Sequence, residues 1–354
     1  LDGGNLSQNS LFMRALRREP VPRVPVWLMR QAGRCDPAYR AYRERVGLSL
    51  HQLFRDAEHA TALSLLPRRF GVDAIILYQD ILTPLEPMGA DFDFSPGPAL
   101  AAPVRSEDGV RALGAFDPGA ALPFIRQEIA TIRRALGGEL PLLGFAGAPF
   151  TLAAFLIEGE SPAAMPRTLA FAAEQPRAFQ ELMARLTRMT VDYLNYQAEC
   201  GADAVQLFES VGDVIPAPLY ERYAQPSHEQ IMAGLRPGLP AILFVKGSPF
   251  PEAMARTGAA AVSVSHTADL RRILASAPVA VQGNVDNRTL AQGTAEEVAA
   301  AVRACIAQGG GRGHILNLNH GVLPETPFEN VLAFIAAARS VTFPPPAAGQ
   351  PEAD

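Results

Sequence analysis

Eight short apolar runs, separated by longer stretches of helical period, most constrain how this chain can fold. They are 24–30 (VPVWLMR), 73–79 (DAIILYQ), 140–146 (LPLLGFA), 203–208 (DAVQLF), 240–245 (PAILFV), 260–265 (AAVSVS), 278–282 (PVAVQ) and 314–318 (HILNL). Each has the length of a strand buried on both faces. Between them lie Ala-, Leu-, Arg- and Glu-rich helix candidates at 56–70, 122–136, 177–200, 219–234, 251–257, 268–276, 295–308 and 328–340. Gly71-Val72-Asp73 and Gly201-Ala202-Asp203 fit helix ends that lead into strands. This alternation predicts an α/β chain with a parallel sheet, and eight units predict a single-domain (β/α)8 TIM barrel.

At 354 residues the chain exceeds the ~250 that such a barrel typically needs. The surplus falls mostly in the second connection, where 91–105 reads as a small hairpin broken at Ser95-Pro96-Gly97-Pro98. The expected organisation is a flexible segment at 1–10, the barrel at 11–343 and a disordered tail at 344–354. A net charge of -5 without a basic stripe argues against nucleic acid as a partner. No apolar run reaches the ~18 residues of a membrane span, and no signal peptide is visible. Cys35, Cys200 and Cys305 are far apart, and neither H-x-C nor C-x-x-C occurs. That usage fits reduced thiols in a cytoplasmic protein and no metal centre.

Chemistry in a barrel collects where strands end. Following the runs come Arg30 and Arg34, Asp80, Ala148 to Thr151, Glu209-Ser210, Lys246-Gly247, Ser265-His266, Gly283 to Asp286, and Asn319-His320-Gly321. This set is polar, whereas barrel filling is apolar. Two guanidinium forks at one strand end suit an anionic ligand, or each pairs with a structural carboxylate. Asp80 could be a base, a metal ligand, or a partner for a cation or N–H groups. His320 could be packed or catalytic. Ser210 lacks a G-x-S-x-G context and suits ligand hydrogen bonding better than nucleophilic attack. Lys246, the sole lysine, could form a Schiff base or stand as a mouth cation. Gly309 to Gly313 reads as a helix–strand turn.

Several blocks together resemble the uroporphyrinogen decarboxylase family. They are Pro25-Val26-Trp27-Leu28-Met29-Arg30-Gln31-Ala32-Gly33-Arg34, Arg69 to Ala74, Asp80, Gly147-Ala148-Pro149-Phe150-Thr151-Leu152, and Ile157-Glu158-Gly159. Gln206 to Ser210, Gln282 to Asp286 and Gly313 to Pro324 follow in order. The resemblance implies a (β/α)8 barrel, a homodimer, and no cofactor or metal. It also implies removal of CO2 from the four acetates of uroporphyrinogen III, giving coproporphyrinogen III. It makes Asp80 and Arg30 catalytic, with Arg30 a proton donor or positioner. It places Arg30, Gln31, Ala32, Gly33, Arg34, Arg43, Asp80, Phe155, Ser210 and His320 against substrate. Phe155 stands for a usual tyrosine, Cys35-Asp36 for Tyr-Leu, Ser265-His266 for Asp-Trp and Asn287 for proline. Alternatives are a zinc-dependent methyltransferase paralogue and a tetrapyrrole-binding protein without turnover.

Overall fold

A computed structural model describes residues 6–94 and 97–344 of the chain. Residues 1–5 of the expected flexible segment, Ser95-Pro96 of the hairpin break and 345–354 of the expected tail lie outside the described residues. Residues Leu6–Asn9 form a 3-10 turn whose Ser7 hydroxyl donates to Asp203 at 2.8 Å.

The strands are β1 (Ile75–Ile76), β2 (Phe92–Asp93), β3 (Ala99–Leu100), β4 (Leu142–Gly147), β5 (Ala204–Glu209), β6 (Ala241–Val245), β7 (Ala261–Ser263), β8 (Ala280–Gln282) and β9 (His314–Ile315). Seven of them form one sheet in the order β1-β4-β5-β6-β7-β8-β9, and every pair is parallel. The antiparallel pair β2-β3 is the hairpin expected in the second connection. Helices cover the strand runs so that β4 is buried along its whole length. This is why these segments are continuously apolar rather than alternating. The expected helices are present, with local departures: Leu66–Phe70 tightens to 3-10 geometry and Tyr220–Ala224 loosens to a π turn.

The run 24–30 is not a strand, contrary to expectation. Pro25 removes a backbone donor there, side chains capture three others, and only the Trp27 N–H reaches a neighbouring backbone carbonyl, that of Leu316 at 3.3 Å. The Val26 N–H goes to Asp73 at 2.8 Å, the Leu28 N–H to Gln31 Oε1 at 3.2 Å and the Met29 N–H to Asn317 Oδ1 at 3.1 Å. The segment nevertheless bonds to both sides. Asp73 N–H donates to the Val26 carbonyl at 2.7 Å, and Leu316 N–H donates to the Pro25 carbonyl at 2.9 Å.

Inside the curl, polar side chains reach between non-adjacent strands. Trp27 Nε1 donates to Gln282 Oε1 at 3.0 Å, and Gln282 Nε2 donates to Gln206 Oε1 at 3.0 Å and Ser263 Oγ at 3.1 Å. Gln206 sits on β5 and Gln282 on β8, so this link is possible only because the sheet is rolled.

Asp73 is the main stitch of the first segment, since it also takes both arms of Arg23, at 2.6 and 2.7 Å. Asp73→Ala would leave a largely buried guanidinium and the Val26 N–H unpaired. The expected loss is about 3 kcal/mol, read as a lower urea midpoint. An unchanged midpoint would mean that Asp73 does not hold this segment.

Candidate active site

The first segment delivers Arg30 in the left-handed region, at φ +62°. That conformation costs a side-chain-bearing residue about 1–2 kcal/mol. Gly33 completes the turn because a Cβ there would stand 2.9 Å from the Arg30 carbonyl oxygen. The glycine therefore serves the turn itself. Gln31 is 1% exposed, and its amide is occupied by Leu28 N–H and the Ala74 carbonyl. Its side chain fastens the turn to the approach to β1. Ala32 is half-buried within the same turn.

The stem of Arg30 lies across Gly321, where a Cβ would come within 2.5 Å of the arginine Cδ. Arg30 is exposed to solvent. Burial lowers its pKa, Asp80 opposes that shift and Arg34 adds to it. Among the described residues neither Arg30 nor Arg34 has a side-chain hydrogen bond or ion pair. The alternative that each is paired with a structural carboxylate is thus not realised. Asp80 Oδ1 accepts the Leu82 N–H at 2.8 Å. Burial raises the Asp80 carboxyl to about 6, with the Leu82 N–H and Arg30 restraining the rise. These shifts tie Arg30 to both Arg34 and Asp80.

His320 joins them. Burial lowers its imidazole to about 4, helped by Arg30 and Lys246 and opposed by Asp213. It is therefore a neutral hydrogen-bonding group at physiological pH. Its ring packs against Phe244 at 5.6 Å, and Phe208 and Phe145 continue the row at 5.6 Å each. Lys246 is ion-paired with Asp213 at 3.1 Å. A paired ammonium is not the desolvated amine that Schiff-base chemistry needs.

Ser210 follows β5. Its N–H donates to Thr151 Oγ1 at 2.7 Å, Thr151 donates to Glu209, and Glu209 meets the fully buried His228 at 3.1 Å. This buried network sets the backbone from which the Ser210 hydroxyl projects. Phe155 packs edge-on against Phe92 of the hairpin, 6.3 Å between centroids. Arg43 is not an open clamp. It donates to the Tyr39 hydroxyl at 3.3 Å and the Leu48 carbonyl at 3.4 Å, and Tyr39 shares a 2.6 Å hydrogen bond with Tyr78. It reaches the Asp80 strand end only through these phenols.

The sequence departures have local uses. Asp36 caps the helix Pro37–Val46 through the Ala38 N–H at 2.9 Å and pairs with Arg69. Cys35 is buried and free, its thiol pushed up to about 11 by burial and by Asp36. Asn287 supplies a backbone N–H that proline lacks. That N–H donates to Asn319 at 2.9 Å, and the side chain donates to the Gly321 carbonyl at 3.0 Å. Asn287 thereby holds the loop carrying His320 and Gly321. Ser265 N–H bonds to Ser248 Oγ at 2.6 Å, and His266 meets Asn319 at 3.0 Å. Among the described residues one group has metal-ligand spacing, His51, Glu86 and Asp91. It contains none of the mouth residues, and Glu86 is already paired with Arg55. Sequence reasoning missed Gly321 and Asn287 as supports of Arg30. The polar Gln206 and Gln282 inside apolar strands were the available signal for the interior network.

Comparison with known proteins gives a consistent result. A family model described as uroporphyrinogen decarboxylase (URO-D) matches residues 7–341. A uroporphyrinogen decarboxylase of Thermus thermophilus is 42% identical over 332 residues, covering 91% of this chain and 95% of that one. One from Parasynechococcus marenigrum is 39% identical over 341 residues, covering 94% and 96%. Among solved structures, a methyltransferase from Methanosarcina mazei superposes with a TM-score of 0.76 at 20% identity, covering 94% of this chain and 98% of that one. At that identity the likeness concerns the fold.

Proposed function

The chain belongs to the uroporphyrinogen decarboxylase family, and on that premise we propose how its mouth decarboxylates uroporphyrinogen. The observation that carries the reading is the unpartnered Arg30, which feels both the desolvated Asp80 and a second unpartnered guanidinium, Arg34. A substrate with eight carboxylates and four inward pyrrole N–H groups answers both features. Each guanidinium takes a carboxylate through a charged fork. Asp80, ionised above about pH 6, accepts the pyrrole N–H groups.

Proton and electron balance then assign the steps. A proton adds to a pyrrole ring carbon and makes the ring cationic. Asp80 stabilises that charge where water is scarce. The bond from the acetate methylene to its carboxylate breaks, its electrons pass into the ring, and CO2 leaves. The exocyclic carbon takes a proton and the ring carbon gives one up, so each acetate consumes one proton net. Arg30 places the carboxylate and its proton; a guanidinium is too weak an acid to be the source. Ser210 and neutral His320 bind substrate acid groups. Phe155 supplies ring packing in place of a hydroxyl. Arg43 acts through Tyr39 and Tyr78, and Gln31, Ala32 and Gly33 shape the Arg30 turn.

We read the rolled sheet as a (β/α)8 barrel whose eighth stave is the proline-bearing segment 24–29, supported by its bonds to both sides. A cytoplasmic homodimer completes the reading. No helix among the described residues is long and apolar enough to cross a membrane.

The test is direct. Purified protein is given chemically reduced uroporphyrinogen without oxygen, added metal or cofactor, and the products are oxidised and separated. Coproporphyrin is expected. Folded protein that binds the porphyrinogen but releases no CO2 would make this a binding protein instead.

A further inference from the structure

Next to the segment that runs from β1 to Asp80 is a carboxyl group with no cation among the described residues. Glu128, from helix Pro123–Leu136, is 0% exposed. Ser64 Oγ donates to its Oε1 at 3.2 Å, and Gln79 Nε2 donates to its Oε2 at 2.7 Å. The same Ser64 Oγ accepts the Tyr78 backbone N–H at 2.8 Å. The Gln79 amide also reaches the Phe54 carbonyl at 2.7 Å. One carboxyl therefore holds both residues that precede Asp80: Gln79 directly, and Tyr78 through Ser64.

We propose that Glu128 is a positioning residue for the reaction, whose buried carboxyl fixes the Tyr78–Gln79 strand end and so sets where Asp80 stands. This rests on the reading of Asp80 given above. Among the described residues no arginine, lysine or histidine pairs with Glu128. Tyr193 of helix Pro176–Cys200 is the titratable group beside it, and it feels both Glu128 and Asp80. Helix Ala57–Leu65 contributes the Ser64 hydroxyl, while its His59 is engaged by Tyr42.

A lone carboxylate in such a place loses its hydration without a compensating charge. Burial accordingly raises Glu128 to about 8, with Gln79 and Ser64 limiting the rise. At neutral pH it is the uncharged acid. In that form one oxygen accepts from the Gln79 amide and the other, as the hydroxyl, shares its hydrogen bond with Ser64 Oγ, and no second negative charge stands on the segment that leads to Asp80. Ionisation would place that charge, without a counter-ion, against the segment that leads to Asp80.

Two variants test this, Glu128→Leu and Glu128→Gln. Leucine fills the space but accepts nothing. E128L should lower kcat at least about tenfold at pH 7 while KM moves less than about threefold. Glutamine restores an acceptor for Gln79 and stays neutral. E128Q should keep kcat within about threefold of wild type and lose the decline that wild type shows as pH rises through about 8. Stability gives a second readout. Glu128 binds its proton more tightly when folded, so its contribution is present below the ordinary carboxyl range and lost as pH rises through about 8. The Tm advantage of E128Q over wild type should therefore grow with pH across that window. If E128L does not fold, the E128Q pH profile decides. An active wild type with an unimpaired E128L, or an E128Q that keeps the alkaline decline, overturns the clamp alone. A wild type without turnover overturns the Asp80 reading as well.

Discussion

Asp80→Asn is expected to reduce kcat for uroporphyrinogen by about 10³-fold, roughly 4 kcal/mol of transition-state stabilisation. The substitution is isosteric. The amide oxygen can still accept the Leu82 N–H that Asp80 accepts at 2.8 Å. What disappears is the negative charge facing the cationic ring, in a site where burial makes that charge count for more than it would in water. The wild-type pH profile should carry the same signature. In the proposed mechanism Asp80 works as the carboxylate, so kcat/KM should fall as pH drops through about 6, the value to which burial raises it. An ordinary aspartate, near 3.9, would put that limb about two units lower. An ordinary histidine near 6.5 could mimic it, but His320 is pushed down to about 4 and titrates too low. His320→Asn should therefore keep the limb. Folding provides a control with the opposite sign. Because the folded pKa of Asp80 is raised, its stabilising contribution exists at low pH and is lost as pH rises through about 6. D80N should then be at least as stable as wild type at pH 8, and its inactivity would not reflect unfolding. A D80N enzyme turning over at the wild-type rate would remove Asp80 from the mechanism.

The parts of this site that the sequence discloses are those governed by local rules. Strands buried on both faces show as apolar runs, so the polar residues that follow them, Asp80, Ser210 and His320, could be read in order. The segment 24–30 misleads for a local reason too. Its apolar pattern is that of a strand, but Pro25 lacks a donor and the side chains of Asp73, Gln31 and Asn317 take three that a ladder would use. Which of two adjacent residues faces the mouth was not legible. The left-handed backbone at Arg30 decides that the arginine is accessible while Gln31 turns inward. Partners distant in sequence were equally hidden. Arg43 reads as a spare clamp until Tyr39 is seen beside it, and Asp36 reads as an oddity until Arg69 arrives from 33 residues away. Glu128 looks like a helix-surface acid until folding places it against Ser64 and Gln79.

Arg30→Gln is expected to produce two coupled losses rather than one. As a carboxylate clamp Arg30 contributes a charge-assisted contact of roughly 1.5–3 kcal/mol, so kcat/KM should fall about 10- to 150-fold. Arg30 also holds the Asp80 carboxyl below where burial alone would put it. Removing the guanidinium should therefore shift the acidic limb of kcat/KM to higher pH. Arg34→Gln should raise KM without moving that limb, because the Asp80 shift has Arg30, not Arg34, among its causes. Gly321→Ala separates position from charge. It keeps the guanidinium but places a methyl within 2.5 Å of the arginine Cδ, so the stem must move. If Arg30 must stand across Gly321 to reach both substrate and Asp80, G321A should weaken kcat/KM in the same direction as R30Q. Adding G321A to R30Q should then cost little more, since the group it displaces is already gone. Full additivity of the two, or an R30Q whose acid limb stays at the wild-type pH, would break the link between the arginine turn and the carboxylate it faces.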